Sequence, residues 1–196
     1  MKSFKTEKRE QKIISVVNAR QKSLRIVLEN IHDPHNVSAI FRTCDAVGIP
    51  RVSLLYYIEK FPKIGNKSSG SAFKWVEKDK FKDVKSCYES LKEEGFRIYA
   101  SSIVDEAVSI YDLDLTEKVA IILGNEHRGV SEEAAKLADK KFIIPMKGMV
   151  QSLNVSVATA VILYEAFRQR QRKGMYECSE FSGSELDEMI NNWCKK

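Results

Sequence analysis

Cysteine is scarce in this sequence, and its four residues, Cys44, Cys87, Cys178 and Cys194, are scattered with no C-x-x-C pair. That spacing argues against a zinc ribbon or a disulfide-stapled scaffold and reads as reduced thiols. Histidine is scarcer still. His32, His35 and His127 have no cysteine nearby, so no metal is expected. No apolar run approaches the roughly 20 residues that cross a bilayer. The longest, Val157 to Leu163, reads as part of a buried helix. The first residues are basic and polar, without the apolar segment of a secretory leader, so the expectation is a cytoplasmic protein with no membrane association. Glycine is present but never as G-x-G-x-x-G or a Walker loop, which disfavours a dinucleotide or ATP site. There is no internal repeat and no low-complexity tract.

What remains is a 196-residue chain, 43% hydrophobic, long enough for one compact domain with short terminal additions. Its charge is uneven. Lys2, Lys5, Lys8, Arg9, Lys12, Arg20, Lys22 and Arg25 face only Glu7 and Glu10 in the first 25 residues. That is 8 minus 2, or +6, against +5 for the whole chain, so the body is close to neutral. Arg168, Arg170, Arg172 and Lys173 form a second basic knot. Such clusters suit a polyanion such as RNA, or are simply a solvated helix face.

Short apolar strands alternate with helical stretches. Strands are expected at Leu24–Leu28, Val52–Tyr57, Phe96–Ser101, Val119–Leu123 and Lys141–Ile144. Helices are expected over residues 1–22, Asn36–Val47, Asp79–Glu94, a short one after Ser131, one from the loop near Asn154 to about Lys173, and Glu185–Trp193. Residues 59–71, with Pro62, Gly65 and Gly70, read as a loop, and 175–184 as a polar connector. The alternation predicts an α/β fold with a parallel sheet covered on both faces.

Ligands of such sheets sit beyond the carboxyl ends of the strands. Three turns there stand out: Ser101-Ser102, Gly124 to Gly129, and Pro145 to Asn154. The last carries Gln151, Ser152 and Asn154 just before a helix, where Ser or Asn is also ordinary capping chemistry. Arg42, flanked by Ala39, Ile40, Ala46 and Val47, is expected near the interior, with either a structural acid or a phosphate as its partner. Glu126 has the same two readings: partner of an arginine, or loop cap.

Three segments together resemble the SPOUT class of RNA methyltransferases, in its SpoU–TrmH branch of ribose 2′-O-methylating enzymes. They are NVSAIFRTCDAVG (Asn36–Gly48), ILGNEHRGVS (Ile122–Ser131) and IPMKGMVQSLNVSVA (Ile144–Ala158). The third, followed by LYEAFRQR, is most similar to the branch members that act on guanosine 18 of the tRNA D-loop. The resemblance covers about Leu24 to Arg170. It implies a parallel-sheet fold with a C-terminal deep trefoil knot, a topology that sequence physics alone would not propose. It implies a homodimer that transfers a methyl group from S-adenosyl-L-methionine to tRNA, with 1–22 as a basic helical arm, 23–173 as the methyltransferase domain and 174–196 as a helical extension. By position it implies a catalytic set of Asn36, Arg42, Glu126, Ser152 and Asn154. The cofactor pocket would use Ser101, Gly124, Ile144, Met146 and Leu153, with RNA contacts at Arg20, His35, Arg168 and Arg170. Ser101 stands where the family often has threonine, which keeps the hydroxyl.

Overall fold

A computed structural model of the chain describes residues 7–64 and 72–196. Lys2 and Lys5 of the basic arm, and Gly65 and Gly70 of the expected loop, lie outside them. The described chain forms a seven-stranded parallel sheet. The strands are β1 (Leu24–Glu29), β2 (Arg51–Leu55), β3 (Glu77–Phe81), β4 (Arg97–Ser101), β5 (Val108–Ser109), β6 (Val119–Leu123) and β7 (Lys140–Ile143). Their spatial order is β3-β2-β1-β6-β4-β7-β5, with β1 and β6 at the centre and Leu28 opposite Leu123. Seven helices accompany them: α1 (Glu7–Asn18), α2 (Pro34–Ala46), α3 (Ala72–Trp75), α4 (Val84–Glu93), α5 (Glu132–Leu137), α6 (Val155–Arg172) and α7 (Gly183–Lys195).

Strand side chains alternate between faces, and that alternation builds two cores. Leu24, Ile26, Leu28, Val119, Ile121 and Leu123 point to one face and pack with Val37, Ile40 and Phe41 of α2 and Ile162, Leu163 and Ala166 of α6. Val27, Ala120 and Ile122 point to the other and pack with Val84, Cys87, Tyr88 and Leu91 of α4 and Ala134 of α5. Ile13 and Val17 of α1 meet Trp193 of α7 in a third, smaller cluster, so the two terminal helices pack on each other.

The expected helix over Asp79–Glu94 is corrected. It splits into edge strand β3 and α4, with Asp83 between them accepting a hydrogen bond from the Ser86 N–H as the cap of α4. The strand reads EKDKF, and an edge strand can be this polar because only one of its sides pairs. β5 is too short to leave a periodic signal. Helix α6 is not apolar-buried all round, since Val157 and Tyr164 are about half exposed (48% and 54%). The 175–184 connector is tied down. The Tyr176 hydroxyl donates to the Val47 carbonyl, and Glu180 accepts from the Ser23 N–H and hydroxyl.

Candidate active site

The site is assembled where β1 and β6 end. Asn30, just past β1, adopts a left-handed backbone (φ 51°), and its side-chain oxygen accepts from the N–H groups of Tyr57, Ile58 and Glu59 at 3.0–3.1 Å. The Asn125 side chain then donates to the Asn30 carbonyl at 2.7 Å and accepts from the N–H groups of His127 and Arg128. Gly124 lets the loop fold flat on itself, because a Cβ there would sit 2.0 Å from the Gly129 carbonyl carbon. Asn30 and Asn125 carry no role in the sequence reading. Their one signal is amide side chains following directly on apolar strands.

So pinned, the loop aims Glu126 at the start of α2. Its carboxylate accepts from the His32 N–H (3.0 Å), the Asp33 N–H (3.2 Å) and the Asn36 amide (2.9 Å). Burial pushes this carboxyl up, but those donors outweigh it and hold it below its ordinary value. Glu126 therefore takes the loop-cap reading, and no arginine pairs with it among the described residues.

A carboxylate only accepts, so Asn36 turns its NH₂ toward Glu126 and its oxygen outward. That oxygen accepts from the Asn154 amide at 3.0 Å. The Asn154 oxygen in turn accepts from the Ser156 and Val157 N–H groups as the cap of α6. Capping and site duty are thus divided between two atoms of one side chain. The relay Glu126–Asn36–Asn154 joins three of the five expected catalytic residues.

The loop that ends at Asn154 also walls a cavity of about 540 Å³ beyond the carboxyl ends of β4 and β7. Ser101, Ile144, Met146 and Leu153 line it, together with Ile103, Gln151 and Ser152. Gly124 is not in its wall; it shapes the neighbouring loop instead. A cavity of about 600 Å³ lies at the opposite, amino ends of β1 and β2. Arg25, Arg51, Glu77 and Glu94 of its lining are already paired internally. The strand-end rule favours the first. Its size, its apolar walls at Ile103, Ile143 and Ile144, and its polar rim at Ser101, Gln151 and Ser152 fit a drug-sized heterocycle such as S-adenosylmethionine.

The arginines divide sharply. Arg42 is exposed, which corrects its expected burial. Ile40, Phe41 and Cys44 take the inward face of α2 and leave Arg42 to solvent, without a hydrogen bond or ion pair among the described residues. Six residues along a helix is about 9 Å of rise and about 120° of rotation, so Arg42 points away from Asn36. His35 is exposed at the start of the same helix. Arg168 is half exposed and holds Glu165 through two bonds of 2.8 and 2.6 Å.

Arg20 and Arg170 are corrections, because both are fully buried and neither guanidinium is open to RNA. Arg20 pairs with Asp45 and donates to the Ile49 carbonyl at 2.8 Å. Arg170 donates to the carbonyls of Leu115, Glu117 and Ser23, to the Ser23 hydroxyl and to Gln21, with Glu180 at 3.5 Å. Among the described residues, no cluster of three or more His, Cys, Asp or Glu could hold a metal ion, and no helix is long and apolar enough to cross a membrane.

Comparison with known proteins fits this architecture. Residues 23–164 match the SpoU rRNA Methylase family, and the chain belongs to that family. Over 192 residues it is 43% identical to a Thermus thermophilus tRNA (guanosine(18)-2′-O)-methyltransferase, covering 98% of each chain. The crystal structure of the A. aeolicus TrmH/SpoU tRNA modifying enzyme superposes with a TM-score of 0.90 at 41% identity, over 96% of both chains. A more distant fold relative, the SpoU methyltransferase AviRb from Streptomyces viridochromogenes in complex with AdoMet, has a TM-score of 0.67 at 24% identity, over 79% of this chain and 62% of that one.

Proposed function

We propose that this chain is an enzyme that transfers the methyl group of S-adenosylmethionine to the ribose 2′-hydroxyl of guanosine 18 in tRNA. The observation that carries the reading is the Glu126–Asn36–Asn154 relay abutting the cavity lined by Ser101, Ile144, Met146 and Leu153. The near full-length similarity to the T. thermophilus enzyme supports the same substrate.

What S-adenosylmethionine supplies when bound there is a methyl carbon activated by a neighbouring sulfonium. Ser101, Ile144, Met146 and Leu153 would hold it, with Gln151 and Ser152 on the rim. The protein's remaining work is orientation and charge. Glu126 fixes Asn36, Asn36 fixes Asn154, and Asn154 fixes the loop end that carries Ser152 and Leu153, so the cavity wall is set before substrate arrives. Arg42 binds a substrate phosphate and stabilises the charge that grows on the ribose oxygen. Guanidinium keeps its proton in proteins, so Arg42 acts as a donor rather than as a base.

Arg42 points away from the relay of its own chain, so the active unit is a homodimer in which Arg42 of one protomer serves the cavity of the other. The exposed Val157 and Tyr164 of α6 support a covered face there. Within that reading the segment through β7 and α6 forms the family's trefoil knot. Residues 23–173 form the catalytic domain of a cytoplasmic enzyme, and residues 1–22 and 174–196 extend it toward tRNA, with His35 and Arg168 as phosphate contacts. The test is to incubate the protein with labelled S-adenosylmethionine and undermodified total RNA and to map the product. Label on the ribose of guanosine 18 is expected. Label confined to ribosomal RNA would redirect the substrate, and none in any RNA would overturn the activity. Sedimentation at micromolar concentration should give twice the chain mass of 22.4 kDa.

A further inference from the structure

Edge strand β3 sorts its charges by sign. Successive side chains of a strand point to opposite faces. Glu77 and Asp79 therefore share one face, where Arg51 takes both and Arg25 takes Asp79. Lys78 and Lys80 are left on the other face. There Lys78 meets Lys196, which follows α7 and lies over the backbone of α3. The Lys196 ammonium donates to the Lys74 carbonyl at 2.6 Å, and the Lys78 ammonium donates to the Phe73 carbonyl at 3.0 Å.

None of Lys78, Lys80 and Lys196 pairs with an Asp or Glu among the described residues, which contain every Asp and Glu of the chain. Burial, together with the charges of Lys196 and Lys80, pushes Lys78 below its ordinary value. The ammonium groups also lie against aromatic faces. Lys78 sits 4.0 Å from the centre of the Phe73 ring, and Lys196 is 5.9 Å from both Trp75 and Trp193. Ring contacts and carbonyls hold Lys78 and Lys196 in place without neutralising them. Neutralisation is left to something that arrives.

We infer that Lys78, Lys80 and Lys196 form a phosphate-binding surface that grips the tRNA backbone away from the reacting ribose. This rests on the tRNA reading above and extends it to the β3 edge, across the sheet from β4 and β7. Two ammonium groups two residues apart on a fixed strand, with a third beside them and none ion-paired to an Asp or Glu, suit a chain of evenly spaced phosphates better than one small anion. No base edge is read, so the surface adds affinity without sequence choice.

The experiment measures binding of undermodified tRNA to the full-length protein from 50 to 200 mM salt. It compares wild type, Lys78→Gln/Lys80→Gln, a charge-reversed Lys80→Glu, and a control Lys85→Gln on α4. Each lost phosphate contact should lower the slope of log affinity against log salt by about 0.7–0.9, so the double variant loses about 1.5 and binds at least tenfold more weakly at low salt. Lys80→Glu should weaken binding further, while Lys85→Gln and S-adenosylmethionine binding stay at wild-type values. Wild-type affinity and slope in both β3 variants, with guanosine 18 still methylated by the parent protein, would overturn this surface alone. A parent protein that binds no tRNA would overturn it together with the functional reading. Thermal melts of each variant, expected within about 1 °C of wild type for Lys80→Glu because Lys80 is exposed, keep a folding defect in the double variant from being mistaken for either.

Discussion

The two ends of α6 use the same chemistry for opposite purposes. At its start, Asn154 caps the helix with its oxygen and passes its amide to Asn36, beside a cavity open to solvent. At its end, Arg170 is fully buried, and its guanidinium is consumed by Leu115, Glu117, Ser23 and Gln21. One end leaves groups free to meet a ligand; the other ties the carboxyl-terminal connector to β1. A basic helix terminus that resembles an RNA contact in sequence is, in this fold, a structural hub.

The sharpest way to break that comparison is Arg170→Ala. Removing a buried cation strands several carbonyls and Glu180, so a loss of about 3–5 kcal/mol is expected. Calorimetry should read it as a fall of roughly 10 °C in Tm. A variant that melts like wild type but fails to bind tRNA would restore Arg170 to the RNA surface.

Arg42→Lys should do the reverse. Loss of the planar donor should lower kcat on saturating tRNA by about 10²-fold or more, with Tm unchanged because the side chain has no internal partner. Near-normal turnover would remove Arg42 from the chemistry.

Glu126→Gln is intermediate. Charge-assisted bonds to two backbone N–H groups and one amide are weakened, at a cost of about 1.5–3 kcal/mol in urea unfolding at pH 7. The folded carboxyl is held below its ordinary value. Its contribution is therefore complete above the unfolded-state pKa of about 4.3 and fades as pH falls through the lower folded value. The gap between wild type and variant should stay constant from pH 6 to 8 and close only in acid below about pH 4. A gap that closes near neutrality would contradict the hydrogen bonding described for this loop.

Asn154→Ser is the mildest change to the relay. Serine caps a helix about as well, so stability should move by less than about 0.5 kcal/mol. Serine is too short to donate to Asn36, so S-adenosylmethionine affinity measured by calorimetry, or kcat, should fall while Tm holds. If only Tm moves, Asn154 is a cap and nothing more.

Much of the architecture was legible in the order of residues. Leu24–Leu28, Val119–Leu123 and the neighbouring apolar runs announce a parallel sheet, because strands buried on both faces are mostly apolar. Ser131 marks a helix start through a local bond that needs no distant partner. β3 escaped notice because its signal is a period of two in charge rather than in hydrophobicity. The relay also lay partly outside local reading: Asn36 and Glu126 are 90 residues apart, and Asn36 and Asn154 are 118.

The sequence by itself determined which side chains were available and which loops were too short, polar or glycine-bound to be core. Only the tertiary structure decided which cations face water. Arg42 and Arg170 both follow apolar stretches, but Arg170 is covered by residues 21–23, 115–117 and 180, while no described segment covers Arg42. Burial of a long charged side chain depends on what distant segments bring to it, and that is a property of packing rather than of neighbours in the chain.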